Sequence, residues 1–430
     1  MAQRVLYNNN GRPDSVTLQP SSVDLGNVTN DLQIPKSIVT TKGDIITATD
    51  NATPVRQGVG SNGQIIVGDS NLTNGLGYKD PAFRNWVING NMEVAQRGTL
   101  LTYVSGSGYM YLLDRFVNIC SLDGATFPTL IYSQQELIPG DIPNSFYYYR
   151  LNIDGSGFSF GANSYCQLFQ YIEQGVRKLC GLNKKITVVF YAKSNINNKK
   201  LGVSIRQSYG SGGSPSSQET INGYYVTLTS VWTKYTFTFT TNTLVGKIFG
   251  TNKDDSIMLN FFYAWGVNRA VHVGDTVAET FVDAGNIDIA QVALYAGDVA
   301  LPFEPKPFAE ELRDCQRYYE KSYAYETYAG ASAWVSSLGF SGAGGNCSIG
   351  DYMAYWGHYK VPKRISATPI IYDQLGNIGK VNITKYDGNA DLNSTASVLY
   401  PTREGFCVVT QSTSVAQRGM YFHYICDADY

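Results

Sequence analysis

The alternation of aromatic residues and threonines in "VWTKYTFTFTTNT" restricts the fold of this chain more than any other feature. Tyr235, Phe237 and Phe239 take every second position, and threonines stand between them. Successive side chains of a β-strand point to opposite faces, so this period places a row of rings on one face of a sheet. Similar apolar runs, among them "KKITVVFYAKSN", "SIMLNFFYAWGV" and "NIDIAQVALYAGD", follow without helices between them. They predict a β-sandwich or jelly roll over residues 84–305.

The region before this sandwich has few aromatic residues and many turn residues. In residues 41–83, "DIITAT" and "QIIVGD" predict short strands separated by Gly and Asn-Gly turns. Strands this short cannot bury a core within one chain, so they need a partner, and copies of the same chain supply one. The alternative is a disordered leader, against which the alternating Ile, Val and Thr residues argue.

One helix is predicted after the sandwich, over residues 306–321. The sequence "KPFAEELRDCQRYYEK" starts it at Pro307, and Glu310 and Glu311 suit the positive end of the helix dipole. The spacing of Phe308 and Cys315 puts apolar groups on one face, as expected for a connector that docks on a neighbouring surface. Residues 322–430 return to short strand patterns with Gly-rich loops and predict a distal β-sandwich.

The composition excludes several classes of function. The chain has a net charge of -2 and only 16% charged residues, without a basic run, which argues against binding to nucleic acid. The seven cysteines are far apart and form no CxxC pair, so we expect reduced thiols and neither a disulfide framework nor a zinc site. We predict no secretory signal and no insertion into a membrane.

Several segments, in order along the chain, resemble a known family. They are "NWVINGNMEVAQRGT", "YLLDRF", "LFQYIEQGVRKLCGLNKKITVVFYAKS", "VWTKYTFTFT" and "NIDIAQVALYAGDVALPFEPKPFAEELRDCQRYYEKSY". Together they resemble the jelly-roll module of bacteriophage tail fibres and related tail proteins, which is itself similar to carbohydrate-binding modules of glycoside hydrolases. The stretch "TTKGDIITATDNATPVRQGVGSNGQII" resembles the shaft repeat of such fibres.

The resemblance implies a homotrimeric protein of the virion tail, assembled in the host cytoplasm. Residues 1–40 would attach to a tail, baseplate or collar protein, and residues 41–83 would form the shaft. The jelly roll (84–305) and the connecting helix (306–321) would carry a distal receptor-binding domain (322–430) that meets a host-surface glycan. We expect a chain that lacks residues 322–430 to stay soluble and to lose adsorption.

The aromatic-rich segment "GDYMAYWGHYK" is the strongest candidate for contact with a glycan. Aromatic faces stack on the C–H faces of sugar rings, and the polar residues of the segment can bond hydroxyl groups. Strand alternation sends one set of side chains outward and the other inward, so packing in a core or a trimer interface is the alternative. The candidate residues are Trp334, Asp351, Tyr352, Tyr355, Trp356, His358 and Tyr359.

The resemblance also implies a possible structural calcium site. In the related carbohydrate-binding modules a metal lies between an "NGxxE" motif on the first strand and an acid on the last strand. Those positions correspond here to Glu93 and Asp288. The alternative is that both are ordinary surface or capping acids. No other cofactor is predicted.

We expect no enzymatic activity. "GFSFG" (157–161) matches the G-x-S-x-G pattern, but its surroundings do not predict the strand-turn-helix that a nucleophile elbow needs. No pair of acids at a spacing suited to glycoside cleavage is evident in the sequence. The alternatives to receptor binding are a purely structural collar, baseplate or adaptor protein and, with less support, a capsule-degrading enzyme.

Overall fold

The computed structural model describes residues 34, 36–51, 53–60, 64–79, 85–104, 108–121, 123–124, 126–156, 160–281, 283–332, 340–347, 350–385, 390–411 and 417–429. For 36, 340–347, 384–385, 390–393 and 417–418 it describes the backbone only. The chain divides into two compact units, Met1–Ala82 and Phe83–Tyr430. Over the described ranges, no helix has the length and apolar character needed to cross a membrane.

The first unit contains two antiparallel hairpins. β1 (Ile45–Asp50) pairs with β2 (Thr53–Gln57), and β3 (Ile65–Gly68) pairs with β4 (Leu76–Lys79). Ile46 is 42% exposed and Ile66 43%, so each hairpin leaves apolar side chains uncovered within one chain. This agrees with the reasoning that such strands need a partner, while the trimer and the shaft stay predictions.

The second unit begins with a sandwich of two six-stranded antiparallel sheets, with strand orders β13-β12-β15-β10-β7-β6 and β14-β11-β16-β9-β8-β5. A one-turn helix, α1 (Gly175–Leu179), and a 3₁₀ helix (Ala270–Val273) lie between strands. The strands are β5 (Leu100–Thr102), β6 (Met110–Tyr111), β7 (Val117–Ser121), β8 (Leu130–Glu136), β9 (Tyr147–Ile153), β10 (Tyr165–Glu173), β11 (Lys185–Ser194), β12 (Lys200–Ser208), β13 (Glu219–Thr227), β14 (Thr233–Thr240), β15 (Ser256–Trp265) and β16 (Gly285–Ala296).

The core lies between these two sheets, as the alternation in the sequence predicts. On β14 the ring of Tyr235 stacks on Phe190 of β11 with ring centroids 5.5 Å apart, and Phe239 is buried. Phe190 also meets Phe261 of the opposite sheet edge to face at 5.0 Å. The prediction of a mostly β chain with β-sandwich sheets is therefore confirmed.

The turn in "NWVINGN" joins the first residues of the sandwich to its last strand. A side chain at Gly90 would place Cβ 2.1 Å from the carbonyl oxygen of Val292, so only glycine allows this approach. The amide of Asn89 donates to the carboxylate of Glu311 at 2.5 Å. Since Glu311 lies in α2 (Phe308–Gln316), the helix docks on this turn, as expected for a connector.

The helix is shorter than predicted. It ends at Gln316, and Tyr319–Lys321 forms a strand, β17, that pairs with the last strand of the chain. Helix propensity in "RYYEK" is outweighed here by pairing with a strand more than a hundred residues away, which the local sequence does not reveal.

The C-terminal strands form one connected eight-stranded antiparallel sheet, and side chains from several of its strands share one hydrophobic core. The sheet is connected because of the length of β24, which pairs with β17, β18, β20 and β21 along its eleven residues. The other strands are β18 (Phe340–Cys347), β19 (Tyr352–His358), β20 (Ile370–Tyr372), β21 (Lys380–Lys385), β22 (Ala390–Leu399) and β23 (Gly405–Gln411), with β24 at Gln417–Asp427.

Buried charges join the C-terminal sheet to the sandwich. Arg115, which is 2% exposed, forms an ion pair with Asp429, and Arg97 donates to Asp429 at 2.8 Å and to Asp427 at 3.0 Å. A cut before residue 322 removes these contacts and leaves Arg97 its ion pair with Asp114. Because the contacts cross residue 322, we expect the two parts to depend on each other for stability.

Candidate functional site

A groove of about 220 Å³ lies on the outer face of the β13-β12-β15-β10-β7-β6 sheet, opposite the core. Amides, hydroxyls, two aromatic rings and three basic side chains line it, and no Asp or Glu is among the lining residues. They are Tyr165, Gln167, Ser204, Arg206, Gln218, Thr220, Asn260, Phe262, Arg269 and His272. We call this feature the sheet groove.

Strand register places the polar side chains on the floor of the sheet groove. Gln167 of β10 lies opposite Phe262 of β15, next to a β-bulge between Cys166 and Gln167. A bulge turns the following side chain relative to the ladder. Asn260 lies opposite Ser204 of β12, and both are buried. Neighbouring strands therefore contribute hydrogen-bonding groups to one surface.

The 3₁₀ helix forms one rim of the sheet groove because β12 has a glycine beneath it. A Cβ at Gly202 would lie 2.5 Å from Val273 and 3.2 Å from the ring of Trp265. The absent side chain lets the helix pack directly on the sheet. Arg269 precedes this helix and His272 lies within it, so this contact fixes both basic groups beside the groove.

One buried polar atom of the sheet groove lacks a hydrogen-bond partner among the described residues. It is the Nδ1 atom of His272, in the 3₁₀ helix. Buried polar groups are normally hydrogen-bonded, and an exception in a groove marks a place where a ligand can bond.

Burial lowers the pKa of His272 below its ordinary value of 6.5, and repulsion from Arg269 and Arg206 lowers it further. The imidazole is therefore neutral at pH 7. We predict that Arg269→Gln raises this pKa, because it removes a positive charge from the vicinity. The chain has only three histidines, so proton NMR titration of their ring signals can follow His272 directly. A wild-type pKa above 6.5, or no change in the variant, would contradict this picture of the groove.

The aromatic-rich segment predicted to bind a glycan forms β19, and its side chains alternate as expected. Tyr352 is 71% exposed and Trp356 58%, and His358 is exposed on the same face. The ring of Trp356 is nearly parallel to that of Tyr400, with centroids 6.0 Å apart. Tyr352, Trp356, His358, Leu399 and Tyr400 thus form an exposed surface that we call the aromatic platform.

Two of the predicted contacts face the core instead. Tyr359 is 8% exposed and packs on Phe406 and Tyr424, and Tyr355 is half-buried against Phe422. Strand alternation, which sends neighbours of Trp356 inward, is the reason. The structure therefore removes Tyr355 and Tyr359 from the set of surface contacts.

The remaining predicted contacts are less informative. Asp351 is exposed next to the first residue of β19. Trp334 lies outside the described residues, as do residues 157–159 of the "GFSFG" motif.

The geometry does not fit the possible calcium site. Asp288 is 2% exposed, and Arg150 donates to both of its carboxylate oxygens, at 2.7 and 2.8 Å. A cation already neutralises this carboxylate, so it is not a free metal ligand. Glu93 accepts from the amide of Asn91 at 2.5 Å. Within the described ranges no cluster of three or more His, Cys, Asp or Glu side chains could hold a metal.

A second, larger cleft of about 790 Å³ lies where the sandwich, α2 and the segment after β17 meet. Phe146 and Tyr328, both 67% exposed, lie in its wall with Glu93 and Glu326. Burial raises the pKa of Glu93. The two carboxylates are far apart in the sequence, which explains why inspection of the sequence alone did not bring them together.

No protein-family model and no curated protein matches the chain. Among solved structures, the enzymatically active domain of bacteriophage CBA120 tailspike protein 4 is 13% identical with a TM-score of 0.26. The alignment covers 49% of this chain and 21% of that chain, so this chain spans about a fifth of the length of the solved tailspike domain.

Carbohydrate-binding modules are also similar. The family 11 module from Clostridium thermocellum, in complex with a β-1,3-1,4-mixed-linked tetrasaccharide, is 12% identical with a TM-score of 0.24, covering 47% of this chain and 98% of that one. The N-terminal cellulose-binding domain of Cellulomonas fimi β-1,4-glucanase C is 14% identical with a TM-score of 0.24, covering 40% and 90%. Similarity at this level assigns no function to this chain.

Proposed function

We propose that this protein is a bacteriophage tail fibre or related receptor-binding protein that attaches the virion to a host-surface glycan. In this proposal it is a homotrimer without enzymatic activity, held at its N-terminal end by a tail, baseplate or collar protein. Its place of action is the virion tail, after assembly in the host cytoplasm.

The observation that carries the proposal is the sheet groove. The rings of Tyr165 and Phe262, with centroids 6.3 Å apart, supply flat apolar surface, and Gln167 and Asn260 supply amides beside it. Saccharides need this combination, because their C–H faces stack on rings while their hydroxyl groups require hydrogen-bonding partners. Gln167 is 6% exposed and lines the groove, where its amide can bond a hydroxyl group.

The aromatic platform is a second surface suited to a glycan. Its Trp356 and Tyr400 rings are exposed and nearly parallel to each other, and exposed rings can stack on the C–H face of a saccharide. In a trimer each surface would occur three times. Once one copy is bound, the other two are held near the cell surface at a high effective concentration, so individually weak contacts would give strong attachment.

The proposal is tested by binding of the purified full-length protein to an array of bacterial surface glycans. We predict that Gln167→Leu weakens the strongest interaction by about tenfold, because a sugar hydroxyl loses its partner in a buried setting. Tyr165→Ala removes stacking area and is expected to weaken it similarly. The matched control is Leu182→Ala, which removes an exposed apolar side chain outside both the groove and the larger cleft.

The outcomes separate the proposed function from the structural alternative. Binding of the wild type to nothing on the array would favour a collar, baseplate or adaptor role. Binding that Gln167→Leu and Tyr165→Ala leave unchanged would move the site elsewhere, and a parallel loss in Trp356→Ala would assign it to the aromatic platform. If Trp356→Ala changes the mass in solution instead, the platform is a subunit interface.

Glycan cleavage is a second candidate, favoured only by the larger cleft that Glu93 and Glu326 share. Glycosidases generally use two carboxyl groups in one site, and the one that acts as the general acid has a raised pKa. Our proposal predicts no release of reducing ends from any glycan that the protein binds. Release that Glu93→Gln and Glu326→Gln each abolish would establish the enzyme instead.

A further inference from the structure

We propose that the saccharide unit bound in the sheet groove is anionic, carrying a carboxylate or a phosphate group. This inference rests on the proposed glycan binding and adds the chemical class of the ligand. It is drawn from the two positively charged side chains of the groove, Arg206 and Arg269, whose surrounding lining contains no Asp or Glu.

Neither guanidinium group of the groove is neutralised by a carboxylate within the described ranges. Arg269 donates from Nε to the carbonyl oxygen of Asn163 at 3.4 Å and lies 5.2 Å from the ring centroid of Tyr165. Arg206 contacts the sulfur of Met258. Both side chains are half-buried, so their charges are only partly screened by water.

The other described arginines of the same sandwich are paired with carboxylates. Arg150 binds Asp288 and Arg177 binds Asp255, with contacts of 2.7 and 2.8 Å. Each of these pairs joins neighbouring parts of the sandwich. The two arginines of the groove depart from this pattern at the place where a ligand would lie, which is the arrangement that recognises an external anion.

The backbone holds these two positive groups in place before any ligand binds. Arg206 lies in the interior of β12, paired with Thr220 on one side and with Met258 on the other. Arg269 is fixed by the 3₁₀ helix that packs over Gly202. Because both side chains are already held in position, little conformational entropy is lost when a ligand binds. The charge-assisted hydrogen bonds therefore contribute more fully to the affinity.

The whole molecule carries a net charge of -2, so long-range electrostatic attraction between the protein as a whole and an anion does not account for a preference for anions. The preference is local to the groove. It should weaken as salt is added, because the groove is open to solvent and its charges are partly screened.

The test uses the full-length protein and an array of matched saccharide pairs: sialylated and desialylated, uronate and carboxyl-reduced, phosphorylated and dephosphorylated. We expect the acidic member of the preferred pair to bind about 10- to 100-fold more tightly than its neutral partner. Which pair shows the preference distinguishes carboxylate from phosphate. Arg206→Gln and Arg269→Gln should each reduce this ratio, and Arg313→Gln on the exposed face of α2 should not.

Each outcome has a definite meaning. Equal binding to acidic and neutral members would overturn the anionic ligand while leaving glycan binding in place. A preference for the acidic member that survives in both groove variants would overturn the groove as its site. Binding to no saccharide would overturn both this inference and the proposed function. Circular dichroism of each variant shows that a loss of binding is not a loss of fold.

Discussion

A chain that ends at Lys321 is expected not to fold into a soluble sandwich. The deletion removes Asp427 and Asp429, which pair with Arg97 and Arg115, and leaves Arg97 its pair with Asp114. Arg115, which is 2% exposed in the full chain, loses its ion pair with Asp429. A buried charge without its partner costs about 3–5 kcal/mol, a large part of the ~5–15 kcal/mol that stabilises a typical domain.

The same deletion strips β17 of its only strand partner in the described structure, β24. Size-exclusion chromatography and thermal unfolding of the truncated chain provide the measurement, and we expect aggregates or a broad transition. The matched control is a chain that begins at Phe83, at the boundary between the two compact units, which should unfold cooperatively. A monodisperse truncated protein with a sharp transition would contradict the importance of these contacts.

The second large effect is expected for Glu320→Ala. Glu320 and Lys363 are both fully buried and form an ion pair at 2.7 Å. Glu320 also accepts from the hydroxyl of Tyr424 at 2.6 Å and from the amide of Lys360 at 3.0 Å. The variant leaves the Lys363 ammonium without a counter-charge, so we expect the free energy of unfolding to fall by about 3–5 kcal/mol.

Chemical denaturation of the variant measures this loss, and two comparisons separate its cause. Asp298→Asn breaks an exposed pair with Lys185, whose side chains are 57% and 45% exposed, and should cost less than about 1 kcal/mol. The double variant Glu320→Leu/Lys363→Met should recover much of the stability, because it removes both charges. Equal losses for Glu320→Ala and Asp298→Asn would contradict this role for the buried pair.

The sandwich could be predicted from the sequence because its strands carry local patterns. The alternation around Phe237 and Phe239 needs no knowledge of distant residues, and the structure places these rings toward the opposite sheet as expected. The same rule predicted which side chains of β19 point outward. It also separated Tyr359 from the outward set, but it could not identify Phe406 and Tyr424 of distant strands as the packing partners of Tyr359.

The sheet groove could not be predicted from the sequence. Gln167, Arg206 and Asn260 lie on different strands, and only the order of those strands brings them together. Asn260 interrupts the apolar run of β15, which was a signal that could have been used. Asp288 was considered as a metal ligand for a similar reason. Its partner Arg150 is 138 residues away, and nothing in the local sequence indicates the pair.

The most direct measurement is a titration of the full-length protein, with labelled histidine rings, by the saccharide that binds most strongly on the array. Each of the three histidines reports on a different place: His272 on the sheet groove, His358 on the aromatic platform, and the buried His423 on the interior. We predict that the His272 signal shifts with saturation while those of His358 and His423 stay unchanged. A shift confined to His358, with His272 unaffected, would contradict glycan binding in the groove.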